Sequence, residues 1–225
     1  MVSAEISCMF AAKQGLFIES VPLALSSGSQ NGISRPFIVR QAKIADVNRL
    51  LELEKSWDLE SLKADVLELK RRINLYPEGQ FVLCPRDHNG TGPPIAALYS
   101  QRIGSPESIK KAVDLPKLFN ATGTSIQLIA ALSDPAFSHY QPAHSLLVYV
   151  LQMLHLKGFS SVVAVTRWSG YKDWRKKNPK KQKGEYETLK NASSGHSVDP
   201  TVSWHEARGA KMLRILKTYR PKDTD

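Results

Sequence analysis

The side chains best suited to moving protons in this 225-residue chain are its six histidines, and their spacing limits what they can do. His139 and His144 flank the entrance of an apolar helical run, but no thiol or carboxylate accompanies them at metal-ligand spacing, so no metal site is expected. His88 falls in a polar turn and His155 on the boundary of the long helix. His205 lies near a helix start, where a lone histidine serves as a cap or a surface group. Cys8 and Cys84 stand 76 positions apart with no CxxC, which reads as two free thiols in a reducing compartment. Neither a G-x-S-x-G elbow nor a P-loop occurs. Taken singly, Thr166 is a strand-former, Arg220 a solvated charge and Trp57 a core residue at a helix–helix joint.

Charge offers a second kind of chemistry. The formal net charge is +10, and residues 172–183 (KDWRKKNPKKQK) supply +6 of it, leaving +4 for the other 213 residues. Trp168, Tyr171 and Trp174 interleave with these cations, a composition that could stack bases and neutralise phosphates. A near-neutral globule with one basic loop nevertheless argues against nucleic acid as the partner, because such a run is ordinarily a solvated loop.

The elements that must position these groups follow from periodicity. Residues 1–35 end in a Ser/Gly/Asn cluster and read as a poorly ordered leader; residues 223–225 form a tail. Phe37–Arg40 is a short strand. Val47, Leu50, Leu51 and Leu53 mark one helix; a second runs from about Leu59 through Leu62, Val66, Leu69 and Ile73 to a stop at Pro77. Strands are expected at 80–84 and 95–103 around a long polar turn, and at 125–132. A helix enters through Gln141-Pro142 and carries Leu146, Leu147, Val150, Leu151 and Leu154. A strand at 161–165 ends in Thr166, a polar loop fills about 168–200, a short helix holds 204–207 and a strand closes at 212–219. No run of 18 apolar residues exists for a membrane span, and Glu5, Lys13 and Glu19 interrupt any secretory signal. The cytoplasm is the expected location, with an organelle left open.

The order β-α-α-β-β-β-α-β-α-β resembles the GNAT superfamily of acyltransferases over residues 36–222. The resemblance implies a single α+β (mixed α/β) domain with a central, mostly antiparallel mixed sheet and helices on both faces. In that superfamily the last helix commonly reads tyrosine, three residues, glycine; here the spacing is filled by His205 and Gly209. RINLYPEGQFVL (72–83), LYSQRI (98–103), QLIAALSDPA (127–136), GFSSVVAVTR (158–167), HEARGAK (205–211) and YRPKD (219–223) are similar to the GNAT-like domains of polyketide loading modules of the curacin and saxitoxin type.

That resemblance implies decarboxylation of a malonyl or methylmalonyl thioester of coenzyme A or phosphopantetheine, and/or acyl transfer to the phosphopantetheine of an acyl carrier protein. It implies catalytic roles for Thr166, His205 and Arg220 and an acyl-lining role for Trp57. Losing CO2 leaves an enolate; a hydroxyl and an imidazole can donate to its oxygen, and one such donor is worth about 2.7–4 kcal/mol. Histidine would also return a proton near neutral pH, and a guanidinium would hold the carboxylate through two parallel bonds. The cofactor-binding run Gln141-Pro142-Ala143-His144-Ser145-Leu146 departs from the superfamily's Gln/Arg-x-x-Gly-x-Gly/Ala, with His144 and Leu146 where glycines belong. Lys176, Lys177, Lys180 and Lys181 are expected to dock the carrier. No Asp-Ser-Leu attachment motif is present, so the carrier is expected in trans, or the chain as one part of a larger assembly. The competing readings are a conventional acetyl-CoA-dependent N-acetyltransferase, an inactive acyl-thioester-binding domain and a nucleic-acid-binding module.

Overall fold

The structure, a computed structural model, describes residues 6–13, 37–57, 60–87, 90–217 and 219. Its contacts divide into two compact units, one within Phe17–Arg102 and Ile126–Phe159, the other within Met1–Leu16, Ile103–Ser125 and Ser160–Asp225. Within the described residues β1 is Ile6–Lys13, β2 Phe37–Gln41, α1 Val47–Glu54, α2 Val66–Leu75, β3 Gln80–Asp87, β4 Gly90–Thr91 and β5 Ala96–Ile103. There follow β6 Ser125–Ser133, α3 Pro142–Leu156, β7 Ser161–Arg167, α4 Tyr171–Lys177, α5 Lys183–Thr188, α6 Pro200–Glu206 and β8 Lys211–Lys217.

In the unit that holds α1–α3, the strands run in the order β2-β3-β5-β6. β3 pairs antiparallel with β2 and with β5, placing Val82 opposite both Arg40 and Ala97. The helices form because their apolar residues recur at helical spacing: Leu50 and Leu53 of α1 and Leu69 and Ile73 of α2 are buried with Val82, Cys84, Ala97, Tyr99 and Leu132 in one cluster. Burying each such large aliphatic side chain contributes about 1.5–3 kcal/mol. Val66, by contrast, is exposed and Leu67 more so, so the inward stripe of α2 is narrower than its sequence suggests. α2 also begins later than its apolar pattern. Glu60–Leu62 forms only a 3-10 turn, and Asp65 caps α2 by accepting the Glu68 amide at 2.8 Å. α3 packs on β3 and buries Leu146, Leu147, Val150 and Leu154, as its periodicity requires.

In the other unit the strands run β7-β1-β8, all antiparallel. β1 lies within the stretch expected to be an unstructured leader, while residues 14–36 lie outside the described residues. β8 carries one extra residue: Met9 pairs with Arg214 and Phe10 with Met212, leaving Leu213 bulged and exposed. The bulge reverses the alternation of β8, so Met212 and Ile215 both reach one cluster while Leu216 reaches the other.

The expected polar loop at 168–200 is a correction. It contains α4 and α5, and the reason is aromatic. Trp168, Tyr186 and Val202 are buried together, with Tyr171, Trp174, Leu189, Ala210, Met212 and Ile215 packed against them. Tyr186 lies at the centre, its ring 5.2 Å from Trp168, 5.5 Å from Tyr171 and 5.1 Å from Trp174. Lysines dominate the sequence of this segment, but its aromatics fold it.

Candidate functional site

Thr166 ends the apolar run of β7. Its Cα partner in β1 is Cys8, whose partner in β8 is Ile215, so Thr166 and Ile215 share a face of this sheet. Ile215 belongs to the cluster that buries Val202 of α6, and α6 packs on β7 and β8. Thr166 therefore points to the side on which α6 lies. His205 follows Val202 by three positions and falls on the neighbouring part of the same helix face. The fold thus brings Thr166 and His205, 39 residues apart in sequence, to one side of one unit.

α6 starts where Asp199 accepts the amides of Thr201 and Val202, with Pro200 at the first helical position. Gly209, at φ 75°, ends the turn that follows it. Trp204 stands edge-on to the His205 ring, centroids 5.0 Å apart at 90°, and the Arg208 guanidinium lies 3.9 Å above Trp204. Burial, and secondarily the Arg208 charge, push the imidazole from its ordinary 6.5 to about 4. At physiological pH His205 is thus a neutral hydrogen-bonding group. Trp204, Arg208 and Asp199 were not among the expected site residues. The first two are the i−1 and i+3 neighbours of His205, and Asp199-Pro200 is a helix-start signature, so the sequence carried a signal for each.

Arg220 lies outside the described residues. Lys176, Lys177, Lys180 and Lys181 are all exposed, at and just beyond the C-terminus of α4, where cations complement the helix dipole. Lys176 meets Asp173 only loosely, at 3.4 Å with both side chains largely in water. The aromatics of this segment pack against one another and against Tyr186.

Trp57 belongs to the unit of α1 and α2, where it packs against their core cluster. Its indole nitrogen is buried, as are Glu54 Oε1 and the Tyr99 hydroxyl. Burial raises the Glu54 carboxyl above the ordinary carboxylate range. In the same unit Gln141 is, among the described residues, the one non-glycine with positive φ, at 50°. Pro142 then opens α3, and the Gln141 side chain makes no capping hydrogen bond. Ala143, His144 and Ser145 are half-buried, whereas Leu146 is wholly buried in the core. Of the two bulky residues that replace glycines, Leu146 is therefore withdrawn into the core while His144 stays half-buried. Among the described residues there is no group of three or more His, Cys, Asp or Glu side chains that could hold a metal ion.

No family model and no curated protein matches the chain. Among solved structures, the loading GNATL domain of CurA from Lyngbya majuscula is 34% identical, aligned over 84% of this chain and 91% of that one with a TM-score of 0.72. The chain belongs to the GNAT-like family. A second GNAT-like relative, the GphF decarboxylase solved in complex with isobutyryl-CoA, is 31% identical over 83% of this chain and 92% of that one, with a TM-score of 0.70. A GCN5-related N-acetyltransferase from Sphaerobacter thermophilus, 10% identical at a TM-score of 0.52 over 95% of this chain and 50% of that one, shares the fold alone. The GNAT-like chain is accordingly a single α+β domain with a mixed, mostly antiparallel sheet, as its element order implies. Among the described residues no helix is long and apolar enough to cross a membrane.

Proposed function

We propose that this GNAT-like domain decarboxylates a malonyl-type thioester, malonyl or methylmalonyl, carried on coenzyme A or on the phosphopantetheine of an acyl carrier protein. The observation that carries the reading is the neutral, half-buried imidazole of His205 on the side of β7 to which Thr166 points, in a chain 34% and 31% identical to a loading GNATL domain and a GNAT-like decarboxylase.

The chemistry favours a neutral donor. As the bond between the α-carbon and the carboxylate breaks, its electron pair passes into the thioester, CO2 leaves and the carbonyl oxygen becomes an enolate. A cationic imidazolium would pair with the substrate carboxylate and stabilise the ground state that must be lost. A neutral imidazole N–H gains most as the oxygen becomes charged, and a Thr166 hydroxyl beside it does the same. A proton from water then completes the α-carbon. Arg220 is assigned the recruitment of the carboxylate and Trp57 the lining of the acyl group. The N-terminus of α3, from Gln141 to Ser145, is assigned the pyrophosphate of coenzyme A, which backbone N–H groups and the helix dipole favour. The exposed lysines 176, 177, 180 and 181 are assigned the acidic carrier.

Mass spectrometry of malonyl- and methylmalonyl-loaded carrier protein, and of the matching CoA thioesters, tests this. Loss of CO2 catalysed by the chain and abolished in His205→Ala is expected. Acetyl transfer from acetyl-CoA to an amine without CO2 loss would replace the reading with a conventional acetyltransferase.

A further inference from the structure

Asp199 is completely buried, and both of its oxygens are fully used. Oδ1 accepts the amides of Thr201 and Val202, each at 3.0 Å, which is all that an N-cap requires. Oδ2 faces away from the helix and accepts the Gly170 amide at 2.8 Å and the Tyr186 hydroxyl at 3.0 Å. Serine or asparagine would cap α6 equally well; the second oxygen needs a different explanation. Gly170 lies four residues beyond Thr166 on the chain leaving β7, and Tyr186 belongs to α5 of the lysine-rich segment.

The contact is close enough to restrict its neighbours. A Cβ on Gly170 would meet the Tyr186 hydroxyl at 2.5 Å and Pro200 Cδ at 3.1 Å, so the chain reaches the cap only as glycine. Thr201 Oγ1 donates to Ser169 Oγ at 2.6 Å across the same seam. Hydrogen bonds to a carboxylate are roughly twice as strong as neutral ones, and a buried carboxylate stripped of a donor keeps the full cost of its lost solvation.

We propose that Asp199 is a positioning residue: one carboxylate fixes the helix of His205 against the tail of the Thr166 strand and, through Tyr186, registers the basic segment to both. The assignment rests on the decarboxylase reading above. It explains why an aspartate caps this helix, why Gly170 follows the strand, and how the basic segment, packed through its aromatics, is also tied by a polar bond to α6.

Asp199→Asn retains the Oδ1 cap and turns an amide N–H2 toward the Gly170 N–H, so donor faces donor. With malonyl-pantetheine as substrate, kcat is expected to fall about 10- to 100-fold with KM changed less than about twofold, the pattern of lost alignment rather than lost binding. The ¹⁵N signals of the His205 ring should shift in the same variant without any substrate. Tyr186→Phe should leave kcat on malonyl-pantetheine within about twofold while raising KM for malonyl-carrier protein about three- to tenfold. A folded Asp199→Asn with unchanged kcat and unchanged ring signals overturns the proposal, and an unchanged carrier KM in Tyr186→Phe overturns its link to the basic segment. If Asp199→Asn fails to fold, Gly170→Ala interrogates the same seam, where a wild-type kcat and ring spectrum would be equally fatal. If the wild-type protein decarboxylates no thioester, the decarboxylase reading falls, and the ring signals alone decide whether Asp199 positions His205.

Discussion

Thr166 and Ile215 occupy one face of the β7-β1-β8 sheet because both are registered opposite Cys8. Ile215 helps to bury the aromatic cluster, so the neighbouring Thr166 position tolerates an apolar side chain. Thr166→Val keeps the shape and β-propensity while removing the hydroxyl. Thermal unfolding should move by no more than a few degrees, whereas kcat for malonyl-thioester decarboxylation should drop about 10²–10³-fold, the effect of removing one donor from a developing oxyanion. Thr166→Ser should recover most of the rate. CO2 release and a melting curve on the same preparations check both halves.

The displaced pKa of His205 makes a pH prediction with a definite sign. The unfolded chain binds a proton at this ring with the ordinary value of 6.5, the folded chain only at about 4. Between those values the unfolded state holds more protons, so stability rises with pH and is lost as pH falls through the window. Urea midpoints at pH 7 and pH 5 should differ less in His205→Gln than in the wild type. The kcat/KM profile should show no inflection near 6.5 attributable to this ring. An inflection there that His205→Gln abolishes would mean that the imidazole is not buried in the working enzyme.

The capping bond from Asp65 to the Glu68 amide predicts a purely structural variant. Asp65→Ala should cost about 1 kcal/mol, within the usual 0.5–2 kcal/mol for a lost N-cap. A urea titration reads that loss as a lower midpoint at unchanged slope.

Replacing Lys176, Lys177, Lys180 and Lys181 with glutamine removes four exposed positive charges without touching the aromatic packing beneath. KM for a carrier-bound substrate should rise more than KM for malonyl-pantetheine, and the difference should shrink as salt screens the attraction. Equal changes for both substrates would leave the lysines a solvated surface.

Most of the fold was legible because its helices and strands announce themselves by period. Leu50, Leu69, Leu146 and Val150 sit at helical spacing and are buried. The illegible parts have physical causes. α4 and α5 were hidden because counting Lys between 172 and 183 masks the contribution of Tyr171, Trp174 and Tyr186, whose packing is a tertiary effect. The start of α2 was misplaced because Leu62 continues the apolar pattern past the point where Asp65 caps the helix. For the site, His205 and Thr166 were legible as residue types in matching segments, but the ring's burial was not, since it depends on neighbours the spacing does not reveal. Asp199 went unnoticed although Asp-Pro is a recognisable helix start, because its second oxygen serves contacts 13 and 29 residues away.

The bulge at Leu213 has a bearing on solubility. Among the described residues β8 is the last strand in its unit's order, and an outermost strand with free backbone groups is a template on which other chains can add. A regular, flat seven-residue strand with the composition MLRIL at its centre would invite such growth. The extra residue breaks the ladder's repeat and increases the local twist, and lysines stand at both ends of the strand, Lys211 and Lys217. Deleting Leu213 would restore an even ladder, so the shortened chain should aggregate at concentrations the parent withstands.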